Sequence, residues 1–312
     1  MKQDLLMVGA MFKPTQAVLE DSYIVHKLWE AKDRDAFLAS VAGKVTAVAT
    51  TGTRGIDDAM MGKLPKLKIV SHFGVGVDSV DVDAATRRGV KVTNTPDVLT
   101  EDVADIALVL MLSAIRRVPQ GDRYVREGRW PQGPMPLTQS VQGKKVGIVG
   151  LGRIGKAIAK RCEAFNLAVS YTGRNKQAGV AYAYYPDALS LAKAVDIMIV
   201  AAPGGAETRG LIGKAVLEAL GPEGTIVNIA RGSVIDEQAM IGALAMGKLG
   251  SAGLDVFEKE PNVPAELLAL DNVVVQPHVG SATQATRTAM GQLVIDNLAA
   301  YFAGKPLVTP VN

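Results

Sequence analysis

The chain has almost no cysteine. Cys162 is the only one in 312 residues, so no disulfide can form within the chain. That usage fits a reducing compartment and makes a cytoplasmic location the expectation. An excess of one charge is also missing. The 34 basic and 31 acidic side chains leave a net charge of +3, and no block or stripe of either sign stands out. This argues against nucleic acid or a membrane surface as the main partner. No apolar run approaches the ~20 residues of a membrane helix. The opening residues, Met1 to Ala10, read as a first strand rather than a signal peptide. There is no internal repeat, low-complexity segment or flexible linker. Histidine is scarce, at three residues, and no metal site is expected.

Apolar residues are plentiful, at 48%, and the length suits two domains. The first ~95 residues alternate short apolar strands (Leu5–Gly9, Val45–Ala49, Leu67–Ser71, Val90–Thr93) with helical stretches such as Tyr23–Glu30 and Arg34–Val41. This alternation predicts parallel α/β structure. Thr100 is the expected N-cap of a long helix, with Glu101 and Asp102 in its first turn. That helix is apolar nearly all round from Val103 to Ile115, so it is expected to be buried between domains or subunits. Arg123 to Ser140, rich in Gly, Pro and charge, reads as a loop. Six more strands follow: Lys145–Val149, Leu167–Tyr171, Asp196–Ala201, Gly224–Ile229, Ala252–Val256 and Asn272–Gln276. Helical patterns between them include Ile212–Leu220 and Glu237–Ala245, which predicts a doubly wound sheet. From about Ser281 the chain reads as one amphipathic helix and a short extended end.

The first of these six strands runs straight into Gly150-x-Gly152-x-x-Gly155, and a helical pattern follows at once. That context is what a dinucleotide site requires: a tight turn, close backbone approach to a pyrophosphate, and a helix N-terminus for the anion. Ligands of open parallel sheets bind beyond the carboxyl ends of the strands. The residues found there are Gly150, Thr172, Ala202-Pro203, Arg231, Asp255 and His278. An arginine, a carboxylate and a histidine suit reduction of a 2-oxo acid. The guanidinium grips a carboxylate and polarises the carbonyl. The imidazolium supplies the proton, and a nearby carboxylate favours the charged ring. His26 reads as a surface or packing residue within a helical pattern, His72 lies near a strand end, and His278 has the best chemistry. Spacing does not decide which of Asp255, Glu258 and Glu260 meets the imidazole. Cys162, in the helix after the glycine turn, reads as a packed thiol.

These signatures, VGIVGLGRIG at 146–155, NIARGS at 228–233, GLDVFEKEP at 253–261 and QPHVGSAT at 276–283, are joined by SHFGVGVDSVDV at 71–82 and TPDVLTEDVADIA at 95–107. Together they resemble the D-isomer-specific 2-hydroxyacid dehydrogenases, in the glyoxylate/hydroxypyruvate reductase branch, over essentially the whole chain. The resemblance implies a Rossmann cofactor domain (99–284) and a flavodoxin-like substrate domain (1–98 plus 285–312), with the active site in the cleft between them. It implies Arg231 as substrate binder, His278 as acid/base and Glu260 as the partner of the histidine. The backbone at Val75 and Gly76 would hold the substrate carboxylate, and Asp255 would lie near the nicotinamide. Cofactor contacts are expected from Gly150, Gly152, Arg153, Ile154 and Gly155 at the turn, and from Thr172, Arg174 and Asn175 at the second strand. Ala202, Pro203, Thr208, Ala230, Gly280 and Thr100 complete them. A homodimer built largely through the cofactor domain is implied as well.

NAD-specific sites place an acidic residue at the end of the second strand. The run Thr172-Gly173-Arg174-Asn175 has none and offers Arg174 to a 2′-phosphate, so NADPH is expected to be preferred and NADH to be weaker. Two other readings compete with reduction of glyoxylate and hydroxypyruvate. One is a reductase of bulkier aromatic 2-oxo acids such as hydroxyphenylpyruvate, with specificity from Thr51-Gly52 and the Trp130–Pro136 loop, which could enter a partner subunit. The other is an NAD(P)-sensing, corepressor-like binding protein. Formate oxidation fits poorly, because that branch has an amide where Glu260 stands.

Overall fold

Two parallel sheets organise the chain. The structure, a computed structural model, describes residues 2–312. The chain divides into two compact units. One holds the residues up to Leu99 together with Ser281–Asn312; the other is Thr100–Gly280.

In the first unit the strands are β1 (Asp4–Met7), β2 (Ile24–Lys27), β3 (Ala47–Thr51), β4 (Ile69–Phe73) and β5 (Lys91–Thr93). They pair all-parallel in the order β2-β1-β3-β4-β5, the flavodoxin-like order. Leu5, Leu6, Met7, Val48, Ile69 and Val70 have no exposed surface, as expected of strands covered on both faces. The helix Gln284–Phe302 packs on β4, burying Met290, Val294 and Leu298 along one stripe.

In the second unit the strands are β6 (Lys145–Val149), β7 (Ala168–Thr172), β8 (Ala183–Tyr185), β9 (Ile197–Val200), β10 (Thr225–Asn228), β11 (Ser251–Leu254) and β12 (Val273–Val275). The order β12-β11-β10-β9-β6-β7-β8 is the dinucleotide-binding order with one strand added at the β12 edge. The order reverses between β6 and β9, and both strand ends open onto that switch point. The helix Thr100–Arg116 lays its buried stripe, including Ala104, Leu108, Leu110 and Met111, on β10, β11 and β12. Arg161 of the helix Arg153–Ala164 ties that helix to it through Glu101 (2.8 Å) and Asp105 (2.6 Å). Cys162 is fully buried, and burial pushes its thiol up to about 12.

Four readings of the sequence need correction. Tyr23–Glu30 is not helical. The helix lies upstream, Lys13–Ser22 with Pro14 in its first turn, and the later residues form edge strand β2. Pairing with β1, reinforced by the 2.8 Å contact of His26 Nε2 with Asp4, overrides the apolar spacing there. Arg123–Ser140 is not all loop, because a helix runs from Val118 to Arg126, with Pro119 in its first turn and an Asp122–Arg126 ion pair one turn apart. β8 carries no strand signal in the sequence because it is a three-residue edge strand. Thr100 is the first helical residue rather than the cap. The helix it opens packs on β10, β11 and β12 and on the helix Arg153–Ala164, and Val109 on its outer side is exposed. Among the described residues no helix is long and apolar enough to cross a membrane.

Candidate active site

The glycine turn leaves β6 with Gly150 N–H donating to Thr172 O at 2.9 Å. Gly150 has φ +93°, and a Cβ there would come within 2.8 Å of the Ala202 backbone. A Cβ on Gly155 would lie 2.2 Å from Gly150 O, so helix and strand pack as closely as they do only without side chains. Gly152, the N-cap, faces open space and offers no side-chain cap to the 12-residue helix beginning at Arg153 and Ile154. The first-turn N–H groups are therefore presented to an anion.

Beyond β7, Thr172 is buried while Arg174 and Asn175 are exposed, and no carboxylate lies between Thr172 and Gln177. Gln177 ties this loop to the glycine turn, donating from Nε2 to Leu151 O at 2.8 Å. Its own N–H donates to the Tyr171 hydroxyl at 2.7 Å. No sequence signal marked Gln177, since a loop amide looks like any other. Beyond β9, Ala202 is buried and the Thr208 hydroxyl donates to Pro203 O at 2.7 Å. An open anion-binding helix end and a turn without room for Cβ fit a nicotinamide dinucleotide.

Arg231 follows β10 on a turn clamped by one buried amide. Asn228 donates to Arg231 O at 2.9 Å and accepts from Ala230 N–H at 3.0 Å. Arg231 itself donates from Nη1 to Ala230 O at 2.7 Å. Asn228 falls within a motif visible in the sequence, but its clamping role is not legible there.

Beyond β11 and β12 lie the titratable groups. Glu260 Oε2 meets His278 Nδ1 at 2.7 Å, while its other oxygen accepts from Phe257 N–H at 3.1 Å. Asp255, only 2% exposed, accepts from Val279 N–H at 2.7 Å and Gly280 N–H at 2.8 Å. Glu258 makes no such contact. Its N–H donates to the buried Glu237, which braces the turn. So Glu260 partners the imidazole, and Asp255 fastens the backbone just after it. That fastening matters because His278 has φ +55°, a left-handed conformation costing about 1–2 kcal/mol that its surroundings must hold.

The two carboxylates respond differently to burial. Burial pushes the Glu260 carboxyl up, but the His278 hydrogen bond and charge, the Phe257 N–H and the Arg231 charge outweigh it, leaving it below the usual 4.5. For Asp255 burial wins over its two N–H donors and the His278 charge, and the group lies above the usual 3.8. A carboxylate accepts at Nδ1, so Nε2 is the nitrogen left to face a substrate.

The second unit thus brings together Arg231, Glu260, His278 and Asp255. Gly280 is held by Asp255, and Thr100 opens the helix behind β10 to β12. Val75 and Gly76 belong to the other unit, in the loop after β4. His72, on β4, is fully buried.

Residues 108–280 match the family described as D-isomer specific 2-hydroxyacid dehydrogenase, NAD binding domain. The chain belongs to this family. It is similar to glyoxylate/hydroxypyruvate reductase A of Arabidopsis thaliana, 47% identical over 98% of both chains. It is equally similar, at 47% over 98% of both, to hydroxyphenylpyruvate reductase of Plectranthus scutellarioides. Among solved structures it resembles an NADPH-dependent glyoxylate/hydroxypyruvate reductase from Sinorhizobium meliloti in complex with NADP and malonate. That match has 43% identity and a TM-score of 0.95, over 100% of this chain and 97% of that one.

Proposed function

We propose that the protein reduces small 2-oxo acids, glyoxylate and hydroxypyruvate, to D-2-hydroxy acids, with NADPH preferred over NADH. The observation that carries this reading is the Glu260–His278 pair, with Arg231 close enough for its charge to act on Glu260. A bound nicotinamide supplies a hydride to the substrate carbon. His278 gives a proton from Nε2 to the carbonyl oxygen. Glu260 accepts from Nδ1, fixes the ring and stabilises its charged form, much as the carboxylate of a catalytic triad does. Arg231 binds the substrate and polarises its carbonyl. Val75 and Gly76 amides hold the carboxylate.

For the cofactor, the first turn from Gly152 through Gly155, with Arg153 and Ile154, would hold the pyrophosphate. Arg174 and Asn175 would meet the 2′-phosphate. Thr172, Ala202, Pro203, Thr208 and Ala230 would line the dinucleotide, with Asp255, Gly280 and Thr100 near its nicotinamide end. The relatives named above are reductases, so the reading as a cofactor-sensing binding protein is set aside.

The test is NADPH and NADH oxidation with glyoxylate, hydroxypyruvate and hydroxyphenylpyruvate side by side. The reading expects the two small acids with NADPH to give the highest kcat/KM. A clear advantage for hydroxyphenylpyruvate would favour the aromatic reading, supported by the Plectranthus relative.

A homodimer through the cofactor unit is part of the proposal. The helix Val118–Arg126 buries none of its residues, and its Val118 and Val125, with Trp130 (66% exposed) and Leu137 (99% exposed) after it, are bare apolar side chains. Light scattering should give twice the chain mass, and Val125→Asp with Leu137→Asp should give monomers.

A further inference from the structure

The loop after β4 carries no charged group at Val75 or Gly76, so whatever it offers an anion comes from its peptide units. Two of these are pinned. Thr95 N–H donates to Gly74 O at 2.9 Å, and the Asn94 side chain donates from Nδ2 to Val75 O at 2.8 Å. In a planar trans peptide the N–H points opposite to the C=O. Pinning Gly74 O therefore aims the Val75 N–H away from β5, and pinning Val75 O does the same for the Gly76 N–H. Among the described residues neither N–H donates to a backbone acceptor.

Asn94 is itself held. The Thr309 hydroxyl donates to Asn94 O at 2.6 Å and accepts from Asn297 Nδ2 at 2.8 Å. Asn297, fully buried, also donates to Leu293 O and accepts from Val308 and Thr309 N–H. The segment around Thr309 runs antiparallel along β5, with Thr93 bridged to Pro310 and Val311 N–H donating to Val92 O at 2.8 Å.

We infer that Asn94 is a positioning residue for the substrate carboxylate, and that Asn297 and Thr309 form the brace that holds it. The inference rests on the reading of Val75 and Gly76 as carboxylate donors. Carboxylate binding is the same in ground and transition states, so the loss should fall on KM and not on kcat.

Asn94→Ala should raise KM for glyoxylate about tenfold, with kcat, KM for NADPH and the unfolding midpoint near the parent values. Asn94→Asp, which keeps the shape but loses the donor, should do at least as much. Thr309→Val should raise the same KM by less, and Thr309→Ser should restore it. Unchanged KM in Asn94→Ala and Asn94→Asp would overturn the inference, and so would parallel changes in KM for glyoxylate, KM for NADPH and kcat. Gly76→Pro, which removes one amide, separates the two layers; Val75→Pro stands in if Gly76→Pro does not fold. A raised KM there with none in the Asn94 variants sinks the positioning role alone. An unchanged KM in the proline variant sinks the carboxylate reading and the inference with it.

Discussion

The carboxyl ends of the two sheets are furnished differently. Beyond the seven-stranded sheet stand ionisable side chains: Arg231 after β10, Asp255 and Glu260 after β11, His278 after β12. Beyond the five-stranded sheet, after β4, the loop at 74–76 offers peptide groups held by uncharged side chains and a β5-paired segment. The chemistry assigned to each follows. Moving a proton takes a group that titrates, whereas gripping a carboxylate takes only fixed N–H donors. The two should fail in different kinetic parameters when damaged.

The largest effect belongs to the titrating side. His278→Ala should lower kcat by ~10²–10⁴ in steady-state assays with little change in KM for NADPH. Next is Glu260→Gln, whose amide can still accept from Nδ1 but carries no charge. A kcat loss of ~10–100-fold is expected. The same variant reads stability. Because Glu260 lies below its ordinary 4.5 in the folded chain, its stabilisation is present above that value. It is lost as pH falls through the lowered one. Asp255, raised above 3.8, acts with the opposite sign: its contribution is present at low pH and lost as pH rises. Subtracting Glu260→Gln from parent in urea unfolding isolates the first effect. The difference should shrink on acidification below 4.5, and a constant difference would contradict the assignment.

Arg174→Ala should raise KM for NADPH by roughly 10–100-fold and leave NADH nearly unchanged, since only the 2′-phosphate loses its charge-assisted partner. Equal losses with both cofactors would assign Arg174 to the surface. Smallest is the change in the peptide-based site, about tenfold in KM for glyoxylate on loss of the Asn94 donor.

The same contrast explains what could be read from the sequence. Groups that act through their side chains announce themselves by type and by position at a strand end, as Arg231 and His278 do. The choice among Asp255, Glu258 and Glu260 is made only by the fold, because three carboxylates on one turn differ only in direction. Groups that act through the backbone, or hold it, leave little trace. Gln177 and Asn94 are amides in loops and Asn228 one at a strand end, and their bonds connect residues whose pairing only the fold creates. Central strands such as β6 and β9 were legible because burial on both faces demands a continuous apolar run. Edge strands β2 and β8 were not, because none of their residues is fully buried. The helix Val118–Arg126 was hidden for a related reason: with no residue buried, it has no core-facing stripe to read.

The most direct test of this division is one crossed measurement: kcat and KM for glyoxylate, with NADPH saturating, in the parent, His278→Ala, Asn94→Ala and the double variant. His278→Ala should move kcat, Asn94→Ala should move KM, and the double variant should show both losses at full size. If both single variants lower kcat, or both only raise KM, the division between a titrating site and a peptide site is wrong.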